Sequence, residues 1–487
     1  MGGRRCNTPR PLLRFGISPP ANKFTLTTSP FTSSISNRFP QIPHSVYEVT
    51  LLRQSAIYTT AAALSLSFLL GACGGNKESA QEAKTEPAKN ESPKPVTVKI
   101  AQRHLTEDEF KRFIVEPVKK KYPHITAQWV DSSKVSLANM ITTKEIPDIS
   151  VDYPLALTQL LDMKVELNMD DVIKSAKFDL NRIRPEFLES IKTASGLNYL
   201  IGLPIYNNSF ALFYNKDLFD KMGVPYPRDG MTWDDARTIA AKMTRTEGGV
   251  QYWGLYPGEL YRGAYQAGLP FIDFAGKKGA LQTEGWKQLF ELWSGLYKIP
   301  GATNLLPSDP PTQATQSFLK GEVGMLAGHS ATLQSLKTVK NFNWDVVTYP
   351  VNPKAPGTGQ RVDSLVFSIT NASPNKEAAF QVIETLLSNE VQNDLSRYAR
   401  VSVLKDDKVQ QAFGQDSAEY QSKNVVAMTK PKLAVIQPFK YKFPTETNPA
   451  VLVSKAFQEV VTTGKDINTA LREADEKLTK AIQELDR

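Results

Sequence analysis

Cysteine is nearly missing: the 487 residues contain two, Cys6 and Cys73, both close to the start. The chain beyond residue 73 therefore has no thiolate nucleophile, no disulfide framework and no cysteine-based metal site. Histidine is scarce as well, with His104, His124 and His329 beyond that point, and neither His-Glu-x-x-His nor Gly-x-Ser-x-Gly occurs. No apolar run reaches the roughly 20 residues that span a bilayer, and no repeat at a period of about 20–50 residues marks a solenoid or propeller. A field of one sign is also lacking. The formal charge is +8, but residues 1–73 hold seven basic side chains and one acidic, leaving 51 basic against 49 acidic groups after them. A body so near neutrality does not gather nucleic acid. What is present, 41% hydrophobic and 22% charged residues, is the balance of a globular protein long enough for two or three domains.

Residues 57–70, IYTTAAALSLSFLL, follow Arg53 and have the short apolar core and positive flank of a secretory signal. Leu70-Gly71-Ala72-Cys73 then resembles the lipobox of bacterial lipoproteins, whose cysteine thiol takes a diacylglyceryl group and becomes the new N-terminus. The expectation is a signal peptide over 51–72, a lipidated Cys73, and a tether over 73–95; a cysteine buried in a core helix is the bland alternative. Residues 76–95, NKESAQEAKTEPAKNESPKP, carry no aromatic or large aliphatic side chain and bury too little to fold. Residues 1–50, rich in Ser, Thr, Pro and Arg, read as an extension produced by a mis-assigned start, with initiation nearer Val49 or Leu51.

From Val96 the pattern becomes globular. Val96–Ile100 alternates with period two, Glu107–Lys121 carries Phe110, Phe113, Ile114, Val118 and Tyr122 on one helical face, and strands follow at Thr126–Val130 and Asp148–Val151. Strands alternating with helices predict an α/β fold with parallel strands. At the far end Asp466 caps a helix whose Ile467, Ala470, Leu471, Ala474, Leu478, Ala481, Ile482 and Leu485 share a face.

Three segments carry a resemblance. Leu203-Pro204 leads through Ala211–Phe219 (ALFYNKDLF) to Thr232-Trp233-Asp234-Asp235; Phe318–Met325 (FLKGEVGM) comes next; Ile369–Ala379 (ITNASPNKEAA) closes the set. Locally these are scaffold: a buried strand at Leu212–Tyr214, a capping box from Thr232 to Asp235, a helix after Ser373-Pro374. In this order and spacing the chain, from about residue 96 to its end, resembles the extracellular solute-binding proteins of sugar ABC importers, the family that includes maltose-binding protein. The resemblance implies a two-lobed periplasmic-binding-protein-like fold of type II, with the ligand cleft between lobes joined by crossover segments. Residues 96–207 and 364–410 would form lobe 1, and 208–363 and 411–487 lobe 2. It further implies a monomer, not an enzyme and without cofactor, that captures a mono- or oligosaccharide outside the cytoplasm and hands it to ABC permease subunits while Cys73 anchors it to the membrane. The alternatives are a glycoside-acting enzyme, whose paired carboxylates have a spatial rather than sequential spacing, and a non-transport binding or adhesin lipoprotein on the same scaffold.

Carry-over from the family places ligand contacts at Gln102, Arg103 and His104 after the first strand, at Asp152 and Tyr153 after the third, and at Asn208 in the first crossover. Asn208 stands where the maltose-binding relative has a carboxylate, and His329 where it has a stacking tryptophan; both departures count against maltodextrin itself. Trp253, Tyr256, Tyr261, Arg262 and Tyr265 form an aromatic group expected in a loop region, with Arg361 and Asp363 near the second crossover. The ligand-binding set is Arg103, Asp152, Tyr153, Asn208, Trp253, Tyr256, Tyr261, His329 and Asp363, with no catalytic and no metal residue.

Overall fold

The computed structural model describes residues 93–301, 311–435 and 441–486. Cys6, Cys73, the signal segment and the tether up to residue 92 lie outside them. The strands, in chain order, begin with β1 (Val96–Gln102), β2 (Ile125–Asp131), β3 (Ile149–Asp152), β4 (Leu203–Asn207) and β5 (Phe210–Asn215). Next come β6 (Arg245–Glu247), β7 (Val250–Tyr256), β8 (Ile272–Asp273), β9 (Lys278–Gly279) and β10 (Val323–His329). The remainder are β11 (Trp344–Thr348), β12 (Thr358–Arg361), β13 (Ser364–Ile369), β14 (Val401–Ser402) and β15 (Lys432–Ala434).

Two mixed sheets hold most of them, one in the order β14-β4-β13-β3-β1-β2 and the other in the order β11-β5-β10-β7-β6. Each lies in its own core. Val98, Ile100, Ile149, Phe187, Leu203, Val366 and Phe380 belong to the first; Leu212, Phe213, Trp233, Trp286, Trp293, Met325 and Phe457 belong to the second. The expected parallel pairing holds where helices connect successive strands, β1 with β2 and β1 with β3. β13 instead enters antiparallel between β3 and β4. It arrives from β12, which pairs with β15 outside both large sheets, rather than over a helix of its own, so it can run against its neighbours.

The long helix expected over Glu107–Lys121 forms, but its middle, Lys111–Val115, is π-helical. Pro117 has no N–H to give and its ring displaces the carbonyl four residues back, so the ladder slips: the amide of Glu116 donates to Lys111, five residues earlier. Capping boxes close at Thr106–Glu109 and Thr232–Asp235. Asp466 caps Ile467–Leu485, whose inner face is buried as expected except at its two ends, where Ile467 is half-buried and Leu485 exposed. In β7 a glycine is required: a Cβ at Gly254 would collide with the backbone of Ala240 in the helix Trp233–Met243.

Candidate interlobe ligand site

The chain passes from the first sheet to the second between β4 and β5, through Asn208 and Ser209, and re-enters the first sheet after β12, which pairs with β15 in a two-stranded sheet, through Val362 and Asp363 to β13. The two passages are tied to each other. The amide of Asn208 donates to the carbonyl of Asp363 at 3.0 Å, and the amide of Asp363 donates to Asn207 Oδ1 at 2.9 Å. Register brings the carboxyl end of β3 to the same edge, since Asp152 is opposite Val366 and Ser364 is opposite Asn207. On the other sheet His329, at the end of β10, is opposite Phe210 at the start of β5. Ligands of α/β sheets gather at such strand ends.

The side chains at this junction form one connected series. Asn208, 1% exposed, donates from Nδ2 to the Tyr153 hydroxyl at 3.1 Å and to Asp363 Oδ2 at 3.4 Å. Asp152 accepts from Arg103 Nη2 at 2.9 Å and from its neighbour's amide, Tyr153 N, at 2.9 Å, and its Oδ1 lies 3.2 Å from His104 Nε2. The His104 ring meets that of Tyr153 edge-on at 4.7 Å. Gln102 is not a surface contact. It is fully buried, and its Oε1 accepts from the amides of His104 and Leu105, shaping the loop that carries Arg103.

Across the junction, His329 Nε2 is 3.7 Å from Asp363 Oδ2, while Nδ1 accepts from the Ala331 amide at 3.0 Å. An accepting Nδ1 puts the ring proton on Nε2, facing the carboxylate. Burial pushes the Asp363 carboxyl up, but His329, then Arg361 and Arg262, together outweigh it and hold it below the usual carboxylate range. Tyr153 moves the other way: burial, reinforced by the Asp363 charge, pushes it up to about 12, so its hydroxyl keeps its proton.

The second-lobe wall comes from the helix Leu260–Gln266 and its cap Glu259. Glu259 accepts from Tyr261 Oη at 3.0 Å and from Arg262 Nε at 2.7 Å. The Arg262 guanidinium lies 4.5 Å above the centre of the Phe210 ring, which in turn meets His329 edge-on at 5.1 Å. Arg361 covers Tyr265 in the same way at 4.5 Å. Beside Tyr265 a cavity of about 330 Å³ opens between residues of both lobes, Leu155, Gln159 and Asp162 on one side and Phe271, Phe443 and Asn448 on the other. Lys442 and Asp162 bridge it with a 2.7 Å ion pair. Among the described residues no group of three or more His, Cys, Asp or Glu is placed to hold a metal ion.

Seven of the nine expected contacts thus meet at this junction: Arg103, Asp152, Tyr153, Asn208, Tyr261, His329 and Asp363. Trp253 and Tyr256 do not. They lie on a strand, not in the loop expected from their sequence, because VQYWGLY is rich in β-formers and pairs with β10. Tyr256 is buried in the second core. Trp253 is opposite Val323, six residues and about 20 Å of strand rise from His329. Glu259 and Phe210 are contacts the sequence did not single out. The only signal for Glu259 was its spacing of three from Arg262 on a helix, and Phe210 reads as an ordinary strand residue.

Comparison with known proteins agrees with this architecture. The family model described as bacterial extracellular solute-binding protein matches residues 114–423. The sn-glycerol-3-phosphate-binding periplasmic protein UgpB of Escherichia coli is 24% identical over 226 residues, 45% of this chain and 51% of the relative. The chain spans about half the length of the curated relatives it matches. Among solved structures, an ABC substrate-binding protein of Listeria monocytogenes in complex with cycloalternan superposes with a TM-score of 0.65 at 17% identity, over 80% of this chain and 99% of that one. The sugar-binding protein MalE of Xanthomonas citri gives 0.63 at 17% identity, over 80% and 98%. These likenesses establish a shared two-lobed fold, and the family match, covering well over half of the sequence, establishes descent: the chain belongs to the bacterial extracellular solute-binding proteins.

Proposed function

We propose that the protein is a lipid-anchored, extracytoplasmic receptor that captures a neutral mono- or oligosaccharide between its lobes and delivers it to the permease of an ABC transporter. The observation that carries this reading is the connected series from Arg103 through Asn208 to Arg262, which offers hydroxyl partners from both lobes at one junction. Its charges are matched locally: Arg103 with Asp152, Arg262 with Glu259, and Asp363 with the charge of Arg361 and the ring N–H of His329. A site without an uncompensated charge favours a neutral, hydroxyl-rich ligand over an ion. The rings near the cavity, Tyr265, Phe271 and Phe443, suit the C–H faces of a sugar. The carboxylates here are engaged in holding neighbouring side chains, which supports binding rather than glycoside cleavage.

A thermal-shift screen over a saccharide library, with sn-glycerol 3-phosphate included because a relative binds it, tests the proposal. A sugar should raise the melting temperature and, in small-angle scattering, reduce the radius of gyration as the lobes close. Asn208→Ala should abolish the shift. Stabilisation by the phosphate and by no sugar would refute the sugar assignment.

A further inference from the structure

One stretch of the first lobe reaches into the second core ahead of the chain's third crossing, which lies between Leu404 and Phe413. Along Ala399–Val401 successive residues serve opposite lobes: Ala399 and Val401 pack in the second core, while Arg400 is buried in an ion pair with first-lobe Glu109 and over the Tyr206 ring at 5.1 Å. Ala399 holds a φ of 70°, a left-handed conformation that a residue with a Cβ adopts at a cost. The residue before it, Tyr398, ends the helix Asn389–Arg397 and meets first-lobe Phe113 edge-on at 5.3 Å.

Two second-lobe side chains fasten on this tyrosine. Gln334 Nε2 donates to the Tyr398 carbonyl at 3.2 Å, and Lys337 Nζ lies 4.7 Å from the centre of its ring. Both belong to the short helix Thr332–Leu336 and its C-cap. That helix begins three residues after His329, and its lead-in is pinned: Ser330 N donates to Ser209 O at 2.8 Å and Ala331 N to His329 Nδ1 at 3.0 Å. One stretch of chain, 329–337, therefore touches the ligand site at one end and the opposite lobe at the other. At the cavity the Lys442–Asp162 pair also joins the lobes.

We propose that Gln334 and Lys337 are positioning residues for the cleft: by holding Tyr398 they keep the lobes approached and His329 in register with Asp363. The importance of that register rests on the binding function above, but the test needs no ligand. In the ligand-free full chain, Gln334→Ala combined with Lys337→Met should increase the radius of gyration measured by scattering. The Ala331 amide should exchange with deuterium roughly three- to tenfold faster, as for one lost hydrogen bond and one half-buried cation–π contact. The melting temperature should stay within a few degrees of the parent, since both side chains lie outside the two cores. Lys337→Arg, which keeps a cation over the ring, should behave as the parent does. An unchanged or smaller radius, an unchanged Ala331 rate, or a Lys337→Arg protein as open as Lys337→Met would each overturn the proposal. Because no saccharide enters the experiment, failure of the sugar assignment cannot be mistaken for failure of this one.

Discussion

Asp363 concentrates the chemistry of the junction in one side chain. It receives Asn208, faces His329, and its backbone closes the reciprocal bonds between two crossovers. Since its folded-state pKa is depressed, it adds stability that is complete above the unfolded value near 3.9 and disappears as pH falls through the lower folded value. Asp363→Asn should therefore flatten the acid limb of the melting-temperature curve below about pH 4 while lowering affinity for the ligand by roughly tenfold or more, as expected for a lost charge-assisted hydrogen bond. Thermal melts from pH 2.5 to 7, at about half-unit steps, with titration calorimetry at neutral pH, check both. An acid limb identical to the parent's would mean that the carboxylate is not held by its neighbours.

At the scale of the element, β7 shows why a residue type alone misleads. Trp253 was expected to stack on ligand and instead packs against the second core with its indole N–H buried and unpaired. Trp253→Ala should then cost about 3 kcal/mol of ligand-free stability, the lower end for a tryptophan truncation, and leave ligand affinity unchanged. Denaturant unfolding and calorimetry on the one variant decide it; intact stability with weakened binding would return Trp253 to the site. The signals that were legible were local ones. Thr232 and Asp235 announced a capping box, Asp466 a helix start, and Val96–Ile100 a strand, because capping and alternation depend on neighbours in sequence. Arg103, Asp152 and Asn208 came from family resemblance, since strand ends far apart in sequence meet only in the fold. The slip to π-geometry at Lys111–Val115 and the aromatic stacking of Arg262 depend on contacts no spacing reveals.

The molecule as a whole has two cores and a junction between them; the leader proposed to set its address lies outside the described residues. If Cys73 is the lipidated N-terminus, the mature protein from a bacterial host should begin there and carry a diacylglyceryl mass in the membrane fraction, whichever upstream start is used. Cys73→Ala should leave the chain unprocessed at that site and free of lipid, as intact-mass spectrometry would record. A processed, membrane-bound Cys73→Ala protein would contradict the anchor. The described residues contain no helix long and apolar enough to cross a membrane, so in this reading attachment depends on the lipid.

The central place of β13 sets a timetable for the chain's birth. Its partners β3 and β4 are complete by Asn207, yet the strand that must lie between them begins at Ser364. A chain threaded through an export channel from its N-terminus cannot finish the first sheet until most of its length has emerged. Until then one edge of β3 and both edges of β4 stand open, a state prone to mispairing and therefore in need of holding. Lateness of this kind is useful to a secreted protein, because a chain that cannot fold early is still threadable when it reaches the membrane. A circular permutant that begins near Ser364 would place β13 ahead of its partners and remove that delay.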